Sequence, residues 1–146
     1  MKRLIIPAVA LLGLAACGGG GGQELSGTFT LIDSDIAGDW QSCSGTGGYD
    51  DFGPGMDVTV RDGENEIIAT GTTENLSSTE DADSEWASGD ASYFCTVKFS
   101  IDSLPRAEFY SIEVGHRGDL SYSRDELAEA DWNVELSLGS VEDALG

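Results

Sequence analysis

The sequence predicts an all-β domain, an antiparallel β-sandwich of about six or seven strands with one short helix near residues 124–130. Three observations carry this prediction. Several segments alternate apolar and polar residues with a period of two. Gly and Asp turn residues punctuate the chain between them. One stretch only carries a helix start, and it is too short to cross over a parallel sheet.

The first strand is read in Thr28-Phe29-Thr30-Leu31-Ile32, which is β-branched and aromatic and ends in the turn-prone Asp33-Ser34-Asp35. Val58 and Val60 then alternate with Thr59 and Arg61, Asp62-Gly63 opens a turn, and Ile67-Ile68-Ala69-Thr70 returns, so residues 57–72 read as a hairpin. Cys95, Val97, Phe99 and Ile101 form the strongest alternation. Tyr110, Ile112 and Val114 repeat it, as do Trp132, Val134, Leu136 and Leu138 at the end. Between these last two, Ser123-Arg124-Asp125-Glu126 fits a capping box, and Leu127-Ala128-Glu129-Ala130 extends it for a turn or two.

Residues 74–90 break the pattern, with Glu74, Glu80, Asp81, Asp83, Glu85 and Asp90 among Ser, Thr and Ala. Such a block repels itself and stays solvated, so it reads as an acidic loop. Trp86 within it either tucks onto the sandwich or stands out as a contact.

The amino terminus has a different character. Met1-Lys2-Arg3 is cationic, Leu4 to Leu14 is apolar, and Leu14-Ala15-Ala16-Cys17 follows. Eleven residues at about 1.5 Å each fall short of a hydrocarbon core about 30 Å thick, so the segment reads as a secretory signal. Small residues before a Cys resemble the lipobox of bacterial lipoproteins. That resemblance implies cleavage after Ala16, a diacylglyceryl group on Cys17, and an extracytoplasmic protein anchored by lipid to the cell membrane or outer membrane. Residues 17–24 would then be the lipidated Cys and a Gly-rich tether of roughly 12 Å root-mean-square span, with the domain occupying 25–146.

The hairpin from Val58 to Gly71 resembles strands of transthyretin-like and immunoglobulin-like modules. More widely, Cys43-Ser-Gly-Thr-Gly-Gly-Tyr-Asp-Asp, that hairpin, Cys95-Thr-Val-Lys-Phe, and Phe109-Tyr through Tyr122-Ser resemble small lipoproteins of actinobacteria. This likeness implies an anchored envelope protein and no particular activity.

Composition limits the partners. The 146 residues hold 27 Asp and Glu against 7 Lys and Arg, a formal charge of −20. Loss of Lys2 and Arg3 with the signal leaves five cations and a charge of −22. Phosphates would be repelled, which excludes nucleic acid. The same charge favours a monomer, and as partners a cationic ligand or an envelope protein. With Cys17 committed to lipid, Cys43 and Cys95 remain, and an even pair in an exported domain most simply forms one disulfide. Zinc would need further ligands that the spacing does not supply.

Catalytic constellations are not found. His116 is the sole histidine, and no Gly-x-Ser-x-Gly elbow accompanies it. Gly45-Thr46-Gly47-Gly48 is followed by Tyr49-Asp50-Asp51 rather than Lys-Ser, so it reads as turn chemistry. No cofactor is expected unless it is calcium, for which Asp33, Asp35, Asp50, Asp51 and Asp57 are candidate ligands. The expected function is therefore a non-enzymatic, lipid-anchored binding or envelope-structural module. A calcium-dependent binding module is the alternative, and a small hydrolase a more distant one.

Overall fold

A computed structural model describes residues 22–39, 42–76 and 93–140. Cys17, the acidic stretch beyond Leu76 and Trp86 lie outside the described residues. The described residues form nine strands: β1 (Gln23–Ile32), β2 (Ile36–Asp39), β3 (Ser42–Gly45), β4 (Asp57–Arg61), β5 (Ile67–Asn75), β6 (Phe94–Leu104), β7 (Phe109–Val114), β8 (Asp119–Ser123) and β9 (Asn133–Gly139). Among the described residues the one α-helix, α1, spans Arg124–Glu129 between β8 and β9. Seven strands form a single sheet in the order β8-β7-β4-β5-β6-β1-β9, curled into a half-barrel, and β2 and β3 form a separate ribbon. All neighbours are antiparallel except β1 and β9. Strands β4, β5 and β6 form a meander and β7 returns beside β4, the Greek-key order.

The period-two alternation becomes the inner face of the curl. Register sets Leu25 opposite Ile101, Phe29 opposite Val97 and Leu31 opposite Cys95. Val58 and Val60 lie opposite Val114 and Ile112. These residues, with Val134, Leu136 and Leu127, form one buried cluster, each large side chain contributing about 1.5–3 kcal/mol by leaving water. Two glycines allow close packing on the sheet. A Cβ on Gly27 would lie 2.6 Å from the Phe99 ring and 2.7 Å from Val134. On β5, Gly71 faces Val58 and would bring a Cβ to 3.3 Å from the Ser100 carbonyl.

The ends of the barrel are closed by different devices. At one, Cys43 of the ribbon is bridged to Cys95 at the start of β6, with Cα atoms 5.6 Å apart. Phe52 packs beside it, its ring 5.2 Å from that of Phe29. The Thr73 hydroxyl donates to the Gly53 carbonyl at 2.7 Å and accepts from Met56 N–H at 2.9 Å, which ties this loop to β5. At the other end the buried Tyr110 hydroxyl accepts from Ala107 N–H at 2.8 Å and donates to the Pro105 carbonyl at 3.1 Å. It thereby clamps the β6–β7 crossover, as a tyrosine corner does.

The capping box is present: Ser123 Oγ accepts from Glu126 N–H, and Glu126 Oε2 accepts from Ser123 N–H. The helix ends in a Schellman pair, with Trp132 N–H on the Leu127 carbonyl at 2.7 Å and Asp131 N–H on that of Ala128 at 3.2 Å. Asp131 takes the left-handed φ of 52° that glycine often supplies there.

Three boundaries and three strands differ from the sequence reading. Gln23 and Glu24, expected in the tether, open β1, because Gln23 pairs with Leu104. Glu74 and Asn75, expected in the acidic loop, end β5 opposite Lys98 and Val97. Trp132 precedes β9 with a φ of 58°. Strands β2, β3 and β8 form outside the alternating segments of the sequence.

Candidate functional site

The calcium candidates do not gather. Asp33 Oδ1 accepts from Asp35 N–H at 2.9 Å in a local turn, and the Asp35 carboxylate lies against Gly47. Asp51 is ion-paired with Arg117, and Asp57 begins β4 while Asp50 follows the 3-10 turn Gly47–Tyr49. Among the described residues no three Asp, Glu, His or Cys converge as a metal site requires. His116 is exposed in the turn between β7 and β8. Cys43 and Cys95 are buried and joined, so neither is a nucleophile.

The feature with binding geometry is the seam between the two margins of the sheet. Strands β8 and β9 end the strand order and are not bonded to each other. Counting alternate directions across the sheet makes them antiparallel across the gap. A slot of about 150 Å³ opens there, lined by Phe29, Ile112, Val114, Leu120, Leu136 and Leu138. Toward the helix it is continued by a hollow of about 530 Å³ bordered by Tyr122, Leu127, Val134, Glu126 and Glu135.

Register explains an anomaly on β8. Leu120 pairs with Ile112 and Tyr122 with Tyr110, so both project to the core side. Yet Leu120 is 52 % exposed, because β8 is the last strand on this margin among the described residues and no described strand lies beyond it to cover Leu120. A wider hollow of about 640 Å³ lies across β1, β5 and β6, but Ser26, Thr28, Thr72, Lys98, Ser100 and Asp102 make it a polar trough.

Charge around the seam is mostly negative. Asp119 and Glu135 are exposed on the outer sides of β8 and β9, and Ser111 Oγ donates to the Asp119 carboxylate. Arg117, the cation lining the slot, is held by Asp51 and lies 5.2 Å from the Tyr49 ring centroid. Hydrogen bonds from Ser123 hold the Glu126 carboxyl below its ordinary range. Burial, and secondarily the Glu126 charge, push the Tyr122 phenol above its own.

Sequence reasoning missed this site. Its one local trace is Asp119-Leu120-Ser121-Tyr122-Ser123, a short alternation after Gly118. Comparison with protein-family models, with curated proteins and with solved structures finds no match to this chain.

Proposed function

We propose that this chain is a lipid-anchored, extracytoplasmic binding module that acts by contact and not by catalysis. In this reading diacylglyceryl-Cys17 holds it to the membrane, and the tether joins the folded body where β1 begins. The body is an immunoglobulin-like or transthyretin-like sandwich opened along one seam. Its halves, β8-β7-β4 and β6-β1-β9, face each other across the core.

The observation that carries the binding role is the seam. Its floor of Phe29, Ile112, Leu136 and Leu138 offers apolar contact area beside two strand edges that, among the described residues, pair with no further strand. Export is supported by the buried Cys43–Cys95 bridge, since disulfides persist outside the reducing cytosol. With a charge of −20 over the chain, the module stays monomeric and attracts cationic partners.

Metabolic labelling with palmitate of cells expressing the full chain tests the anchor. The expected result is a labelled, membrane-bound protein shortened by its signal, and a Cys17→Ser variant that carries no label. An unlabelled, uncut protein in the soluble fraction would overturn the reading.

A further inference from the structure

We infer that the seam between β8 and β9 takes an extended peptide segment of an envelope partner as an added strand, apolar and cationic at alternate positions. The inference rests on the binding role proposed above and names the site and the chemistry of its partner.

The backbone supplies the first argument. Arg124 N–H bonds the Glu108 carbonyl at 2.8 Å, and that register makes the even-numbered residues of β8 the ones bonded to β7. Asp119 and Ser121 therefore turn their amide and carbonyl groups toward the seam. On the other margin the Trp132 carbonyl accepts from Ser26 N–H at 2.9 Å. Continuing the alternation along β9, Val134, Leu136 and Leu138 bond to β1, while Glu135 and Ser137 face the seam. Two such edges flanking one slot form a template for strand addition.

Side chains supply the second argument. Inward residues of an added strand would meet Leu120, Ile112, Leu136 and Leu138. Outward residues would lie between Asp119 and Glu135, with Glu126 at the helix end. The cation nearest the slot, Arg117, is already paired with Asp51. Opposite charges on adjacent strands attract and like charges repel, so the outward positions favour Lys or Arg. The same carboxylates disfavour an anionic bilayer and a second copy of this acidic chain.

The full chain with its anchor, held in detergent, is titrated with an octapeptide alternating Val and Lys. Two controls replace Lys by Glu or place Pro at the centre. The alternating peptide is expected to bind about tenfold or more tightly than either control, because Pro removes a ladder donor and Glu meets carboxylates. Hydrogen exchange is expected to slow at Ser121, Glu135 and Ser137. Leu120→Lys, at an exposed position that folding tolerates, and Glu135→Lys on the opposite margin should each weaken binding about tenfold.

Equal binding of all three peptides, protection elsewhere, or indifference to both substitutions would overturn the inference. So would preferential binding to phosphatidylglycerol vesicles, or dimerisation through Leu120. Palmitate labelling that persists while the peptides fail removes the seam alone. Peptide binding without label removes the anchor alone.

Discussion

At one end of the half-barrel a covalent bond joins the β2–β3 ribbon to the start of β6, whereas at the other α1 and the β6–β7 crossover are held by packing and hydrogen bonds. The ribbon has little apolar surface of its own. Ile36-Ala37-Gly38-Asp39 and Ser42-Cys43-Ser44-Gly45 fully bury only Cys43 and Gly45, with Ile36 half-buried against the core, so Cys43–Cys95 and the Phe52 loop, whose carbonyl accepts from Gly45 N–H, do most of the fastening. The helix end instead seats Leu127 in the core and sets Tyr110 edge-on to Trp132 at 5.7 Å. The lesson is that a segment without a hydrophobic face needs a covalent or loop anchor, while one with a single well-placed apolar residue can be held by its caps.

The largest expected effect breaks the covalent end. Replacing Cys43 and Cys95 together by Ala reopens a loop spanning 52 positions, and the chain-entropy model puts the loss at up to about 4 kcal/mol. Urea unfolding of the oxidised wild type and the double variant measures it. Peptide binding at the seam should survive, since the bridge does not line it.

Next in size is the helix end. Leu127→Ala removes the buried residue that seats α1 and is expected to cost about 2–4 kcal/mol. It also deforms the hollow of about 530 Å³ beside Tyr122 and Val134 that continues the slot. Unlike the cysteine change, it should therefore weaken both stability and seam binding, read by the same urea series and peptide titration.

The split between the ends also explains what the sequence disclosed. Strands with an apolar face declare themselves locally, and so β1, β4, β5, β6, β7 and β9 were readable from Phe29, Val58, Ile68, Val97, Ile112 and Leu136. The capping box was readable because Ser123 and Glu126 meet within one turn. The ribbon was not, since Ser42 and Ser44 carry no strand signal and the pairing is imposed by a distant cysteine. Gln23 and Glu24 join β1 only because β6 is there to pair with them. The Schellman stop was hidden because Asp131 stands where glycine would have signalled it. The seam was least legible of all. It exists because β9 docks parallel to β1 and not beside β8, and neighbour choice among amphipathic strands leaves no local mark.

A smaller loss is expected from Tyr110→Phe. The ring and its contact with Trp132 remain, but Ala107 N–H loses its acceptor and the Pro105 carbonyl its donor. An unpaired buried polar group costs about 1–3 kcal/mol, here softened because the crossover is partly exposed. Faster hydrogen exchange confined to Ala107 and its neighbours would locate the effect at the crossover. A change spread evenly over β1 and β6 would contradict that.

The finest distinction between the ends is their response to pH. The disulfide does not titrate, but the helix cap does. Glu126 accepts from Ser123 N–H and Oγ, both at 2.7 Å, and its carboxyl is held below the ordinary value of 4.5. A depressed carboxyl contributes stability that is complete above its unfolded value and fades as pH falls through the folded one. The stability difference between wild type and Glu126→Gln should therefore be constant near neutrality and shrink below pH 4.5. The same substitution has a second reading at alkaline pH. Tyr122 is raised from 10.0 first by burial and then by the Glu126 charge. Glu126→Gln removes only the second cause, so tyrosinate absorbance should show Tyr122 titrating lower than in wild type yet still above 10.0. An unchanged Tyr122 would mean that the Glu126 charge is screened from the phenol, and a return fully to 10.0 would mean that burial contributes nothing there.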